Sequence, residues 1–256
     1  MKKVFFPLLV GLVFFAAGCI VVPCGIPKNA NTTVPAPSTA IPQSAATTPA
    51  NRLNIGWWKT RLANKEGLAT RHYDTVLIGD SITHNWDNIA PDLQKQYFGD
   101  ALNLGFSGDR TQDVLWRIAR IDWETVSPKR IMLMIGTNNT GWRPPETAEN
   151  TFYGIKSIIQ VLRKKCPDTK ITLLAIFPRG VNPGNDWRKA NDAINVRLQE
   201  LADEEHVYLR DISPYYFLPD GKTLNQGLLP DQLHPNKEGH RIWAAATARD
   251  FMRDYR

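Results

Sequence analysis

Cysteine is scarce in these 256 residues: Cys19, Cys24 and Cys166 are all there is. Three thiols cannot make a disulfide framework, so an apolar core must hold the fold. Positive charge is not concentrated. Lys and Arg outnumber Asp and Glu by 31 to 25, and setting aside Lys2 and Lys3 brings the net charge from +6 to +4. No basic block reads as a nucleic-acid arm, so no nucleic-acid partner is expected. His and Cys are not clustered at ligand spacing, so no metal is expected. No segment repeats, which argues against a solenoid. What is present is a 43% apolar chain, long enough for one domain of about 200 residues with attachments.

The first attachment is a targeting signal over 1–18. Lys2 and Lys3 precede an uncharged, mostly apolar stretch over 4–18, too short for a spanning helix, which needs about 20 residues. It ends Ala16-Ala17-Gly18-Cys19, which resembles the lipobox of bacterial lipoproteins, with Ala16 where Leu is commoner. That resemblance implies cleavage before Cys19, acylation of its thiol, and a cell-envelope location. Ile20, rather than Asp, at the next position favours the outer membrane. Pro23 makes Cys24 a poor rival site. Over 19–51 a tether is expected: Pro27, Pro35, Pro37, Pro42 and Pro49 alternate with Thr, Ala and Ser, a composition too poor in bulky apolar groups to build a core.

The folded body is expected over 52–256. Apolar runs bounded by Gly or polar turns predict strands at 75–79, 101–105, 130–135, 170–177 and 207–209. Helical spacing between them predicts helices near 57–63, 91–98, 111–121, 144–165, 186–205 and 236–252. Trp57 and Trp58 are both expected in the core. Near-continuous apolar strands alternating with helices predict an α/β fold, a three-layer αβα sandwich around a five-stranded parallel sheet. Its flavodoxin-like strand order, 2-1-3-4-5, is expected by analogy.

Ligands in such sheets gather at the carboxyl ends of the strands. The polar stretches after the first three strands therefore share one rim: Gly79-Asp80-Ser81, Phe106-Ser107-Gly108-Asp109-Arg110, and Gly136-Thr137-Asn138-Asn139. Ser81 is either a helix N-cap or a nucleophile. His234 is the candidate base among five histidines, because Asp231 precedes it by three on one loop and can reach its second ring nitrogen. The alternative is an Asx turn before a helix. His84 is a possible pocket residue. Gly108 and Asn138 are either turn residues or oxyanion donors.

These four blocks, in this order, resemble the SGNH hydrolase superfamily, the GDSL esterases and lipases, with Ile82 in place of Leu. Residues 101–118 and Phe177-Pro178-Arg179-Gly180 also resemble the catalytic subunits of platelet-activating-factor acetylhydrolases. The resemblance implies a catalytic Ser81, His234 and Asp231, an oxyanion hole from Ser81, Gly108 and Asn138, and no cofactor. It implies an esterase for short, chiefly acetyl, esters of carbohydrate or envelope material. The competing expectations are a lysophospholipase or thioesterase and a non-catalytic glycan-binding lipoprotein. Phe106, Trp142 and Trp187 are expected near the rim, packing its loops, narrowing an acyl pocket or stacking on a sugar.

Overall fold

The computed structural model describes residues 40–252. The expected signal over 1–18, Cys19, and the expected tether over 20–39 lie outside the described residues.

Five strands form one parallel sheet: β1 (Thr75–Gly79), β2 (Leu102–Gly105), β3 (Arg130–Met134), β4 (Lys170–Leu174) and β5 (Val207–Arg210). Their order is β2-β1-β3-β4-β5, as expected. β1 lies between β2 and β3, and all five of its residues are buried. Alternate residues of these strands point to opposite faces. Val76, Ile78, Ile131, Leu133, Ile171 and Leu173 face one core. Leu77, Met132, Met134 and Leu174 face the other. The continuous apolar runs of the sequence are thus two interleaved faces, both covered.

The helices are α1 (Gly56–Leu68), α2 (Ser81–Ile89), α3 (Pro91–Phe98), α4 (Thr111–Ile118), α5 (Trp123–Val126), α6 (Thr137–Gly141), α7 (Ala148–Lys165), α8 (Asp186–Leu198) and α9 (Lys237–Met252). Val114 and Ile118 of α4, Ile155, Ile158 and Leu162 of α7, and Ile194 and Leu198 of α8 fill the first core. Ile82 and Trp86 of α2, Phe98 of α3, and Trp243 and Phe251 of α9 fill the second. Trp58 and Leu62 of α1 pack on Phe106 beyond β2. Among the described residues, no helix is long and apolar enough to cross a membrane.

The strand expected over 170–177 stops at Leu174 and the helix expected over 111–121 at Ile118, and three further expectations shift. The helix expected over 144–165 starts at Ala148, because Thr147 accepts the Asn150 amide at its N-terminus, beyond Pro144 and Pro145. The helix expected over 186–205 stops at Leu198 and tightens into a short 3₁₀ turn over Gln199–Leu201. The ordered body also begins before residue 52. Ala45–Thr47 form a 3₁₀ turn, Ala46 is buried, and its carbonyl accepts a 2.8 Å bond from Thr111 Oγ1. Residues 45–50 therefore lie on the body rather than in the tether.

Candidate active site

β1 ends on Gly79, which sits so close to its surroundings that a Cβ would drive into Thr83 Oγ1 and the Met134 carbonyl. Only glycine lets the chain turn there directly into α2. Asp80 caps that helix, its Oδ1 accepting the Ile82 amide at 3.0 Å. The cap is therefore Asp80, not Ser81 as the alternative expectation had it. Ser81 is the first helical residue, and its hydroxyl is free for other partners. Asp80 is fully buried, and that burial pushes its carboxyl up to about 7, against the opposing pull of the Ile82 amide.

The loop before α9 brings the histidine to this hydroxyl. His234 Nε2 lies 2.7 Å from Ser81 Oγ. His234 Nδ1 lies 2.6 Å from Asp231 Oδ2, which fixes the tautomer with its proton toward the carboxylate and leaves Nε2 to accept from Ser81. Asp231 Oδ1 meanwhile accepts the Leu233 and His234 backbone amides at 3.1 and 2.7 Å. The Asx turn and the orienting carboxylate are thus the same residue, one oxygen for each. Burial raises the Asp231 pKa, but the bonds from His234 outweigh it and hold the carboxyl below its usual range. The Gly180 amide ties this loop to the one after β4 through the Gln232 carbonyl, at 3.0 Å.

The loop after β2 forms the next wall. The Phe106 amide donates to the Gly79 carbonyl at 3.1 Å, which seats this loop against the Ser81 turn. Gly108 has φ of +77°, a conformation that favours glycine. Asn138, in the first turn of α6, donates from Nδ2 to the Asp109 carbonyl at 2.9 Å. Its other N–H has no partner among the described residues. Asn139 instead turns inward, where its Oδ1 accepts the Thr111 amide and its Nδ2 donates to Gln112 Oε1. Of the two adjacent asparagines, only Asn138 is joined to the Gly108 loop.

The other histidines separate by position. His84 Nδ1 lies 2.9 Å from Ser107 Oγ, and burial, with the nearby Arg61 cation, holds its pKa down to about 4. It borders the site as a neutral ring. His240 is buried under α2 between Trp86 and Trp243, and burial lowers its pKa. His72 and His206 precede β1 and β5, at the opposite rim.

The sequence reading missed the support beneath the Gly108 loop. Asp109 is wholly buried and accepts Trp58 Nε1 and Arg117 Nε, each at 2.7 Å, with Arg52 at 3.4 Å. The one available signal was Arg117, a cation among the inward residues Val114, Leu115 and Ile118 of α4, which demands an inward carboxylate. Phe106 belongs to this support: it is fully buried, with Arg117 3.9 Å from its ring centroid, so it packs the loop. Trp142 and Trp187 are 40% and 42% exposed. Trp57, expected in the core with Trp58, is 45% exposed and stacks on His84. Among the described residues no group of three or more His, Cys, Asp or Glu is placed to hold a metal ion.

The sequence profile of the GDSL-like Lipase/Acylhydrolase family matches residues 77–242, which include Ser81, Gly108, Asn138, Asp231 and His234. Over 170 residues the chain is 32% identical to platelet-activating factor acetylhydrolase IB subunit alpha1 of Bos taurus, covering 65% of this chain and 70% of the relative. Solved structures share the fold. A GDSL-like lipase of Bacteroides thetaiotaomicron superposes with a TM-score of 0.63 at 21% identity, covering 75% of this chain and 96% of its own. A variant of an acetyl-xylooligosaccharide esterase of Geobacillus Stearmophilus gives 0.56 at 19% identity, covering 73% and 98%.

Proposed function

The chain belongs to the GDSL-like Lipase/Acylhydrolase family, and from that premise we propose that it is a serine esterase releasing short acyl groups, chiefly acetyl, from carbohydrate or cell-envelope esters. The observation that carries the reading is the unbroken relay from Asp231 through His234 to Ser81, with contacts of 2.6 and 2.7 Å.

In this mechanism His234 Nε2 takes the Ser81 proton as Oγ attacks the ester carbonyl. The carbonyl π pair moves onto oxygen. The Ser81 and Gly108 amides and the free N–H of Asn138 stabilise that oxyanion. Asp231 stabilises the imidazolium without taking its proton. Collapse of the intermediate expels the alcohol, protonated by His234, and leaves an acyl-Ser81. Water, deprotonated by His234, attacks the acyl carbon, and the acid departs as Ser81 recovers its proton.

The relay is open to water: the Asp231 side chain is 56% exposed. An accessible site suits a small acyl group on a large, hydrated alcohol. The names of the relatives, for acetylhydrolase and acetyl-xylooligosaccharide esterase, support the same acyl preference. We further propose that acylation of Cys19 anchors the enzyme to the bacterial outer membrane, where it would meet such esters. The test of activity is a p-nitrophenyl ester series. Acetate should be turned over fastest, with rates falling as the acyl chain lengthens, and Ser81→Ala should abolish turnover while the circular dichroism spectrum stays native. A preference for long acyl chains would point instead to a lipid acylhydrolase. Activity surviving in Ser81→Ala would overturn the mechanism.

A further inference from the structure

Between the end of α6 and the start of α8 runs an open cleft of about 500 Å³, lined by Thr140, Trp142, Glu146, Asn185, Asp186 and Trp187 among others. Both of its ends are tied to the site. The Trp142 amide donates to the Asn138 carbonyl at 3.1 Å, one helical turn from the Asn138 side chain. Trp187 lies under the Arg179 guanidinium, 4.5 Å from its ring centroid, and Arg179 donates to the Thr137 carbonyl at 3.2 Å. The next residue, Gly180, bonds Gln232 on the loop that carries Asp231 and His234.

The two indoles are braced. Arg52 and Arg110 lie 5.1 and 4.8 Å from the Trp142 ring centroid. Each arginine is itself held: Arg52 by the Ser107 carbonyl, Arg110 by Asp113, and Arg179 as above. Cation–π contact of this kind fixes ring orientation, so a ligand stacking here would lose little conformational freedom on binding. The remaining lining mixes hydroxyl, amide, carboxylate and guanidinium groups with these flat apolar faces. A fatty acyl chain offers nothing to those polar groups and would strip them of water at a cost. A pyranose ring matches them: its C–H face stacks on indole, and its hydroxyls give and take hydrogen bonds.

Resting on the esterase reading above, we propose that the Trp142–Trp187 cleft is an oligosaccharide subsite. It holds the pyranose rings of the alcohol half of the substrate while the acetyl group sits at Ser81. The subsite therefore selects acetylated oligosaccharides over acetate esters of small alcohols. Trp57, on the His84 side, is not part of it.

The test compares native enzyme with Trp142→Ala and Trp187→Ala. The substrates are chemically acetylated xylo-oligosaccharides, acetylated chito-oligosaccharides and p-nitrophenyl acetate. Each substitution should lower the ratio of oligosaccharide to p-nitrophenyl acetate kcat/KM by about 2- to 12-fold, the value of one aromatic stacking contact. The loss should lie mainly in KM, and Trp142→Tyr should recover most of it. The two sugar series decide which glycan the cleft prefers. Separately, unacetylated xylohexaose and chitohexaose are titrated into Ser81→Ala, following tryptophan fluorescence. Saturable binding lost in both Trp→Ala variants supports the subsite even if no ester is hydrolysed. An unchanged kcat/KM ratio, or no binding of either hexaose, overturns it, while p-nitrophenyl acetate turnover leaves the esterase reading standing.

Discussion

Replacing Asp80 by Asn should make the protein gain stability, relative to the native chain, as the pH rises. Asp80 is buried and caps α2, and its burial raises the carboxyl pKa to about 7. In the unfolded chain a carboxyl titrates near ~3.9. Between these values the folded chain holds a proton that the unfolded chain has released. The contribution of Asp80 is therefore fully present below about pH 4 and is lost as the pH climbs through about 7. A difference of roughly 3 units corresponds to on the order of 4 kcal/mol across that window. Asn keeps the shape and an oxygen for the Ile82 amide, so the helix cap survives. It has no proton to lose. Urea denaturation of both proteins at pH 4.5, 6 and 8 isolates the effect, because the other titrating groups are common to both chains. The difference in unfolding free energy should move in favour of Asp80→Asn by a few kcal/mol between the lowest and highest pH. A difference that stays constant across the three would show that Asp80 is not held protonated, and the argument from burial would fall.

His234→Ala should lower kcat/KM for p-nitrophenyl acetate by roughly 10⁴-fold or more, well beyond His84→Ala or His240→Ala; a ranking led by His84 would mean the wrong imidazole had been chosen. Asn138→Ala should cost about 100- to 1,000-fold in kcat with KM nearly constant, and an equal loss confined to KM would reject an oxyanion role. Cys19→Ser should leave a precursor that takes up no labelled palmitate; equal labelling of both forms would remove the lipid anchor.

The sheet was legible because strands such as Val76–Ile78 and Ile131–Met134 are buried on both faces and so read as unbroken apolar runs. The meeting of Ser81, His234 and Asp231 was legible because a parallel sheet puts its strand ends on one rim and because Asp231 and His234 are local to one another. Helix ends were less so: the Thr147 cap beyond two prolines, and the tightening after Leu198, are decided by a few local hydrogen bonds. The buried cluster of Trp58, Asp109 and Arg117 was not legible, because its three members come from α1, a turn and α4 and are paired only by tertiary folding. Trp57 and Trp58 differ for a simple reason. Adjacent positions on a helix point about 100° apart, so Trp58 faces Phe106 while Trp57 lies over His84 with much of its ring exposed.

Ser81 and His234 touch across 153 positions of sequence. Closing so long a loop costs chain entropy, and one hydrogen bond, with a net worth of about 0.5–1.5 kcal/mol, cannot carry it. The closure rests instead on an aromatic seam. Trp86 of α2 meets Phe98 of α3 and Trp243 of α9, and Phe98 meets Phe251. Ser81 and His234 are passengers on that seam. A chain leaving the ribosome carries Ser81 long before it carries His234. The two side chains therefore meet only once α9 has packed against α2 and α3.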